Sequence, residues 1–165
     1  MENFGTNVIG FHLVTEARRW YIVGVYLAPE NTETMERVSK AIRCRPRRAE
    51  LLVAGDFNAD LATQEGDRRA EASATSLATE GLEDMARNFL PRDRRWCRDR
   101  RTWGMLLKVR EVRSRTDHIL GMDSRLFRNV TVQDPRHNSD HYMILGCLPS
   151  APPTEHKRYV GGRKR

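Results

Sequence analysis

The sequence predicts an α/β fold, and three observations carry that expectation. Two short blocks rich in β-branched and aromatic residues, NVIGFHLVT (7–15) and WYIVGVYLA (20–28), have the pattern of buried strands, placed close enough to be hairpin neighbours. Residues 32–42 set Met35, Val38 and Ile42 on one helical face at spacings of three and four. LLVAG (51–55) is a run of apolar or small residues ended by Gly55, which reads as a central strand buried on both faces. Strand, helix, strand in this order is an α/β arrangement.

The remaining elements follow in chain order. Pro29 ends the second strand, and residues 43–48, with Pro46, form a turn before the central strand. After Asn58 the chain is polar through Gly66, and the Ala-rich stretch 68–90 is expected to be helical with a break at Gly81, closed by Pro91. Residues 92–113, rich in Arg and holding Trp96, Trp103 and Gly104, are expected to form a long charged hairpin or loop. TDHILG (116–121), NVTVQ (129–133) and YMILGCL (142–148) are three further short strands. Residues 150–165, with Pro, Gly and basic residues and few apolar ones, are expected to be a disordered basic tail, so the folded unit is placed at 1–149.

Composition bounds the function. A length of 165 residues fits one domain, and 39% hydrophobic with 7% aromatic residues excludes a wholly disordered chain. The net charge of +7 is unevenly placed: residues 1–90 carry 11 Lys and Arg against 14 Asp and Glu, whereas residues 91–128 carry 12 against 5. A basic surplus confined to an insert and a tail suits a polyanionic partner. Cys44, Cys97 and Cys147 are odd in number with no CxxC spacing, which argues against a disulfide framework or a zinc cluster and for a reducing, intracellular setting. The first twenty residues lack the organisation of a signal peptide, and no segment approaches the roughly 18 apolar residues of a membrane span.

Three polar clusters fall at strand ends, where open α/β sheets place their sites. Asp56 and Asn58, two residues apart on extended backbone, point to one side and can share a water or a metal; an Asx turn closing the strand is the plainer reading. Asp117 sits at a strand start in Ser114–Asp117, and Asp140 with His141 precedes YMILGCL as a metal ligand or an orienting carboxylate beside a titratable imidazole.

Together the motifs resemble the endonuclease/exonuclease/phosphatase family, the metal-dependent phosphodiesterase fold of abasic-site endonucleases, deoxyribonuclease I and LINE-type (non-LTR) retrotransposon endonucleases. The matching residues are VYLAP (25–29), GDFN (55–58), Thr102 with Trp103, SRTDHIL (114–120) and SDH (139–141). Their combination with the Arg-rich stretch and basic tail is most similar to the retrotransposon branch. The resemblance implies a two-sheet α/β sandwich and Mg²⁺-dependent, or Mn²⁺-dependent, hydrolysis of a DNA phosphodiester. It gives Asp56 the attacking water, Asn58 that water or a phosphate oxygen, and Asp140 the metal. His141 would bind the scissile phosphate, Asp117 would orient His141, and Tyr26 would contact phosphate. Positive charge on the phosphoryl oxygens and an activated water are what such a poorly electrophilic centre requires.

Around this centre, Arg92, Arg94, Arg95, Arg98, Arg100, Arg101 and Trp103 are candidates for the DNA-facing rim, with a solvated loop or a core Trp as the plain alternatives. Lys157, Arg158, Arg163, Lys164 and Arg165 fit a nuclear-localisation or nucleic-acid tail, or a linker to a downstream reverse-transcriptase domain. His12, His118, His137 and His156 have no partner legible in the sequence. One departure matters: the family pattern has an Asn strand and a metal-ligand Glu well before VYLAP, and neither Glu2 nor Glu16 carries that pattern. A domain without this first half is expected to expose strand edges and an apolar sheet face, and to be inactive or to need a complementary chain. Two other readings share the motifs: a non-catalytic nucleic-acid-binding remnant, and a phosphatase of the same fold acting on a non-nucleic-acid phosphoester.

Overall fold

The computed structural model describes residues 1–28, 33–61, 67–90, 98–100, 112–133, 141 and 143–148. Its elements are β1 (Glu2–Asn3), β2 (Val8–Val14), β3 (Arg19–Tyr26), α1 (Glu33–Arg43), β4 (Glu50–Asp56), α2 (Arg68–Thr79), β5 (Glu83–Asp84), α3 (Ala86–Phe89), β6 (Arg98–Arg100), β7 (Val112–Ser114), β8 (Asp117–Gly121), β9 (Asn129–Gln133) and β10 (Met143–Cys147), with a 3-10 turn at Ser124–Leu126. Six strands form one sheet in the order β1-β2-β3-β4-β8-β5; β9 with β10, and β6 with β7, form two-stranded ladders. The mixed α/β architecture expected from the strand–helix–strand order is present.

Alternation along the strands divides the sheet into two faces. Tyr21, Val23 and Val25 of β3, Leu51 and Val53 of β4 and Leu120 of β8 pack with Val38, Ala41 and Ile42 of α1 and Ala70 and Leu77 of α2. Trp20 and Leu52 face the other way, into a second cluster with Met85, Leu126, Phe127 and Val130, joined by Ile22, Ile119 and Ile144. The β9–β10 ladder is therefore a second layer. On the same face β2 carries Ile9, Phe11 and Leu13, which remain 38%, 39% and 42% exposed.

The first two blocks pair antiparallel, as neighbours in a hairpin should, and β3 then runs parallel to β4 with α1 as the crossover. Helix α1 carries Glu33 and Glu36 in its first turn and Lys40 and Arg43 in its last, the order that complements the helix dipole. The 68–90 stretch follows expectation through the break at Gly81 and departs from it after that point. Asp67 caps α2 by accepting from Arg69 and Ala70 N–H, but the helix ends at Thr79 and Gly81 adopts φ +75°. The chain then forms β5 beside β8, with Met85 N–H donating to Ile119 O at 2.9 Å. Pairing with β8 overrides the helix propensity of the Ala-rich segment. Within the expected 92–113 hairpin, β6 and β7 pair antiparallel; residues 92–97 and 101–111, and the tail 150–165, lie outside the described residues.

Candidate active site

Three adjacent strands bring one residue each to the same end of the sheet. Tyr26 closes β3 and is paired with Asp56, the last residue of β4, which is paired in turn with Asp117, the first residue of β8. Paired positions project from the same face, so the three side chains share one side of the sheet, at the C-terminal ends of its parallel strands. Tyr26 is half exposed at the outer edge of this row.

Gly55 makes the approach of β4 possible. It has φ +149°, and a Cβ there would stand 1.8 Å from Val25 O, so no side chain fits. After it, Asp56 Oδ1 accepts the N–H of Asn58 at 2.7 Å, an Asx turn that holds Asn58 at φ +45°. The turn and the site are the same structure: closing the strand is what aims the carboxylate. The Asn58 Nδ2 amide donates to Leu27 O at 3.3 Å, tying the loop after β4 to the loop after β3. Arg69, from the first turn of α2, reinforces that tie by donating from Nη2 to Leu27 O and Phe57 O, each at 3.2 Å.

His141 reaches the row from the second layer. Its Nδ1 donates to Asp117 Oδ2 at 2.8 Å, with both side chains partly exposed. That bond fixes the ring and turns its Nε2 edge away from Asp117. Ligand atoms of Asp56, Asp117 and His141 all lie within 4.8 Å of one another. The two carboxylates are ligands of the type a hard divalent cation takes, and His141, its Nδ1 bonded to Asp117, stands beside them. Asp140, the expected metal ligand, lies outside the described residues, as do Arg92, Arg94, Arg95, Arg101 and Trp103; Arg98 and Arg100 are described only as backbone of β6. A cleft of about 380 Å³ lined by Leu61, Leu77, Glu83, Asp84 and Arg87 opens on the helix side of the sheet, away from the Asp56 row. The convergent donors, not that cleft, mark the site.

Behind the row stands a second acid–histidine pair that corrects the reading of His118 as partnerless. His118 points to the opposite face from Asp117 and is 1% exposed. Its Nδ1 lies 2.9 Å from Asp84 Oδ2, and Arg115 Nη2 pairs with the same carboxylate oxygen while lying 3.3 Å from Nδ1. His118 Nε2 donates to Ala59 O and Arg115 O, each at 3.1 Å, and the ring meets Phe57 edge-on at 5.7 Å between centroids. Burial, and after it the Arg115 charge, hold the imidazole down to about 4, with the bonds to the two carbonyls opposing. Burial also lowers Arg115 to about 10, so its guanidinium stays charged at neutral pH. The signal for His118 was its position: in a strand where Asp117 faces the site, the next residue faces the core. Arg69 and Asp84 carried no such signal.

A mixed α/β sandwich with an acid–histidine centre at the ends of its central strands defines a deoxyribonuclease I-like domain. The chain belongs to the Endonuclease/Exonuclease/phosphatase family, whose model matches residues 4–141. It is similar to the endonuclease domain of TRAS1, a telomere-specific non-LTR retrotransposon, at 21% identity and a TM-score of 0.70, covering 88% of this chain and 65% of that one. It also resembles the 3′ phosphatase NExo from Neisseria bound to product DNA hairpin (18%, TM-score 0.65, 87% and 65% covered) and a family protein from Leptotrichia buccalis (17%, TM-score 0.63, 87% and 54% covered). The likeness at these identities is one of fold, and the chain spans about two thirds or less of the length of these structures. No curated protein matches it.

Proposed function

We propose that the chain is a divalent-metal-dependent phosphodiesterase domain acting on DNA, of the retrotransposon endonuclease type. The observation that carries this reading is the convergence of Asp56, Asp117 and His141 within 4.8 Å at the end of β3, β4 and β8. Asp56 takes the proton of the attacking water, Asn58 keeps the loop seated through Leu27 O, and Tyr26 flanks the phosphate from the outer edge. Asp117 holds His141 so that its Nε2 edge meets the phosphoryl oxygen where negative charge develops. Asp140, Asp56 and Asp117 supply the carboxylates for Mg²⁺ or Mn²⁺, which when bound draws charge from the phosphoryl oxygen. Arg92, Arg94, Arg95, Arg98, Arg100, Arg101 and Trp103 belong to the surface that tracks the DNA, and the basic tail suits a nuclear setting. A reverse-transcriptase domain and further endonuclease sequence are the partners this reading implies.

The test is nicking of supercoiled plasmid by the purified chain in 5 mM-scale Mg²⁺, about the range a weakly held cation needs, with a 3′-phosphorylated oligonucleotide run in parallel. Nicking that EDTA abolishes and that Asp56→Ala and His141→Ala remove is the expected result. The rival reading, binding without cutting, is favoured by the 12 Lys and Arg against 5 acids in residues 91–128. Salt-dependent DNA binding with no cleavage in either metal would replace the first reading with it.

A further inference from the structure

The ladder between β4 and β8 ends at Asp56 and Asp117, and one more backbone bond, Phe57 N–H to Thr116 O at 2.7 Å, prolongs it. Beyond that point Asn58 takes φ +45° and, among the described residues, the backbone bonds between the two segments stop. What spans them next is a side chain. The Nε2–H of His118 reaches both Ala59 O, in the loop carrying Asp56 and Asn58, and Arg115 O, in the segment carrying Asp117. Nε2 faces two carbonyl acceptors, while Nδ1 lies beside both the Asp84 carboxylate and the Arg115 Nη2 donor; a proton on Nε2, with Nη2 donating toward Nδ1, serves both carbonyls, and the Asp84–Arg115 pair fixes the ring's tilt. Three ionisable groups in a core cost more than apolar packing of the same volume. Their location directly behind Asp117 gives them a use.

We propose that His118 is a positioning residue that clamps the Asp56–Asn58 loop to the Asp117 segment, with Arg115 and Asp84 holding its ring, and so sets the separation at which Asp56, Asp117 and His141 converge. Its effect on turnover rests on the phosphodiesterase reading above; its effect on geometry does not. The two are therefore measured separately.

Three variants carry the test. Gln at position 118 can place an amide donor where Nε2 stands, Asn reaches only the Nδ1 position, and Leu has no donor. The geometric readout is the ring ¹⁵N spectrum of His141 in the metal-free chain, where the Nδ1–H bonded to Asp117 gives a distinct signal that Asp117→Asn removes. His118→Leu and His118→Asn, shown folded by a cooperative melt, should shift or lose that signal, and His118→Gln should keep it. In the nicking assay kcat should fall about 100-fold for Leu and Asn with KM changed less than about 3-fold, as for a misplacement on the order of 1 Å, and Gln should recover to within about 5-fold. If Leu does not fold, the Asn and Gln pair decides. A folded Asn or Leu variant with the His141 signal intact would overturn the proposal, as would a Gln variant no better than Asn. If the unsubstituted chain cuts no DNA, the phosphodiesterase reading fails and the spectrum alone judges the clamp.

Discussion

Two carboxylate–imidazole pairs lie back to back across β8, and their contrast shows how one strand separates reactivity from support. Asp117 and His141 are 24% and 29% exposed in the side chain, 2.8 Å apart; Asp84 and His118 are 8% and 0% exposed, 2.9 Å apart. The residue types are the same and the distance nearly so, although the outer ring donates from Nδ1 to its carboxylate and the inner ring from Nε2 to the two carbonyls. The difference lies in solvent access and in the third group. The outer pair stands beside a second carboxylate, Asp56, which opens it to a cation, whereas the inner pair is shared with a guanidinium and closed by two carbonyls. Asp117 and His118 are consecutive, so a single alternation of the strand delivers one residue to each.

The contrast is broken most severely by exchanging the roles. His141→Ala should lower nicking by about 10³-fold while shifting the urea midpoint little, since a partly exposed side chain away from the core is worth about 0.5 kcal/mol. Asp84→Ala should do the reverse first: it strands the Arg115 guanidinium, 2% exposed, and should cost about 3–5 kcal/mol of stability by urea titration. A pH series sharpens the same point. The folded-state pKa of His118, about 4, lies below the unfolded value of about 6.5, so the unfolded chain takes up the proton first. Its contribution is complete above about pH 6.5 and is lost as pH falls toward 4, a decline that His118→Gln should flatten. Titrations at pH 7.5, 6, 5 and 4 measure it, and an unchanged slope in the Gln variant would reassign the acid sensitivity to another group. The smallest effect belongs to a third pair, Arg18 with Glu50, 44% and 40% exposed at 3.1 Å. Arg18→Ala should move stability by no more than about 0.5 kcal/mol and leave nicking unaltered.

The elements that sequence reasoning placed were those whose local pattern and tertiary environment agree. The block of β3, the 3.6-residue stripe of α1 and the apolar run of β4 each bury the face their periodicity marks, whereas β2, expected to be a buried strand, leaves Ile9, Phe11 and Leu13 exposed on one face. In the 68–90 segment the break at Gly81 was legible, but the two residues Glu83 and Asp84 that then pair with β8 were not, because the composition after the break still favours helix. The outer site was legible for a related reason. GDFN and SRTDHIL are short, but one closes β4 and the other opens β8, and the register sets Asp56 beside Asp117. The inner pair was not legible, because Asp84 lies 34 positions from His118 in a segment that reads as helix. Arg69 was missed similarly: its partners are backbone carbonyls, which leave no trace in a sequence.

Gly55 gives the GDFN motif two separable histories. Any side chain at that position collides with Val25 O, so its replacement is purged by failure to fold whether or not the chain has a reaction to perform. Asp56 and His141 answer to a different filter, since both can change while the sheet stands. Copies of this domain freed from selection for cleavage but still selected to fold would keep the glycine and drift at the aspartate and histidine. Counting those two kinds of change among related genomic copies would date the loss of an activity without a single enzyme assay.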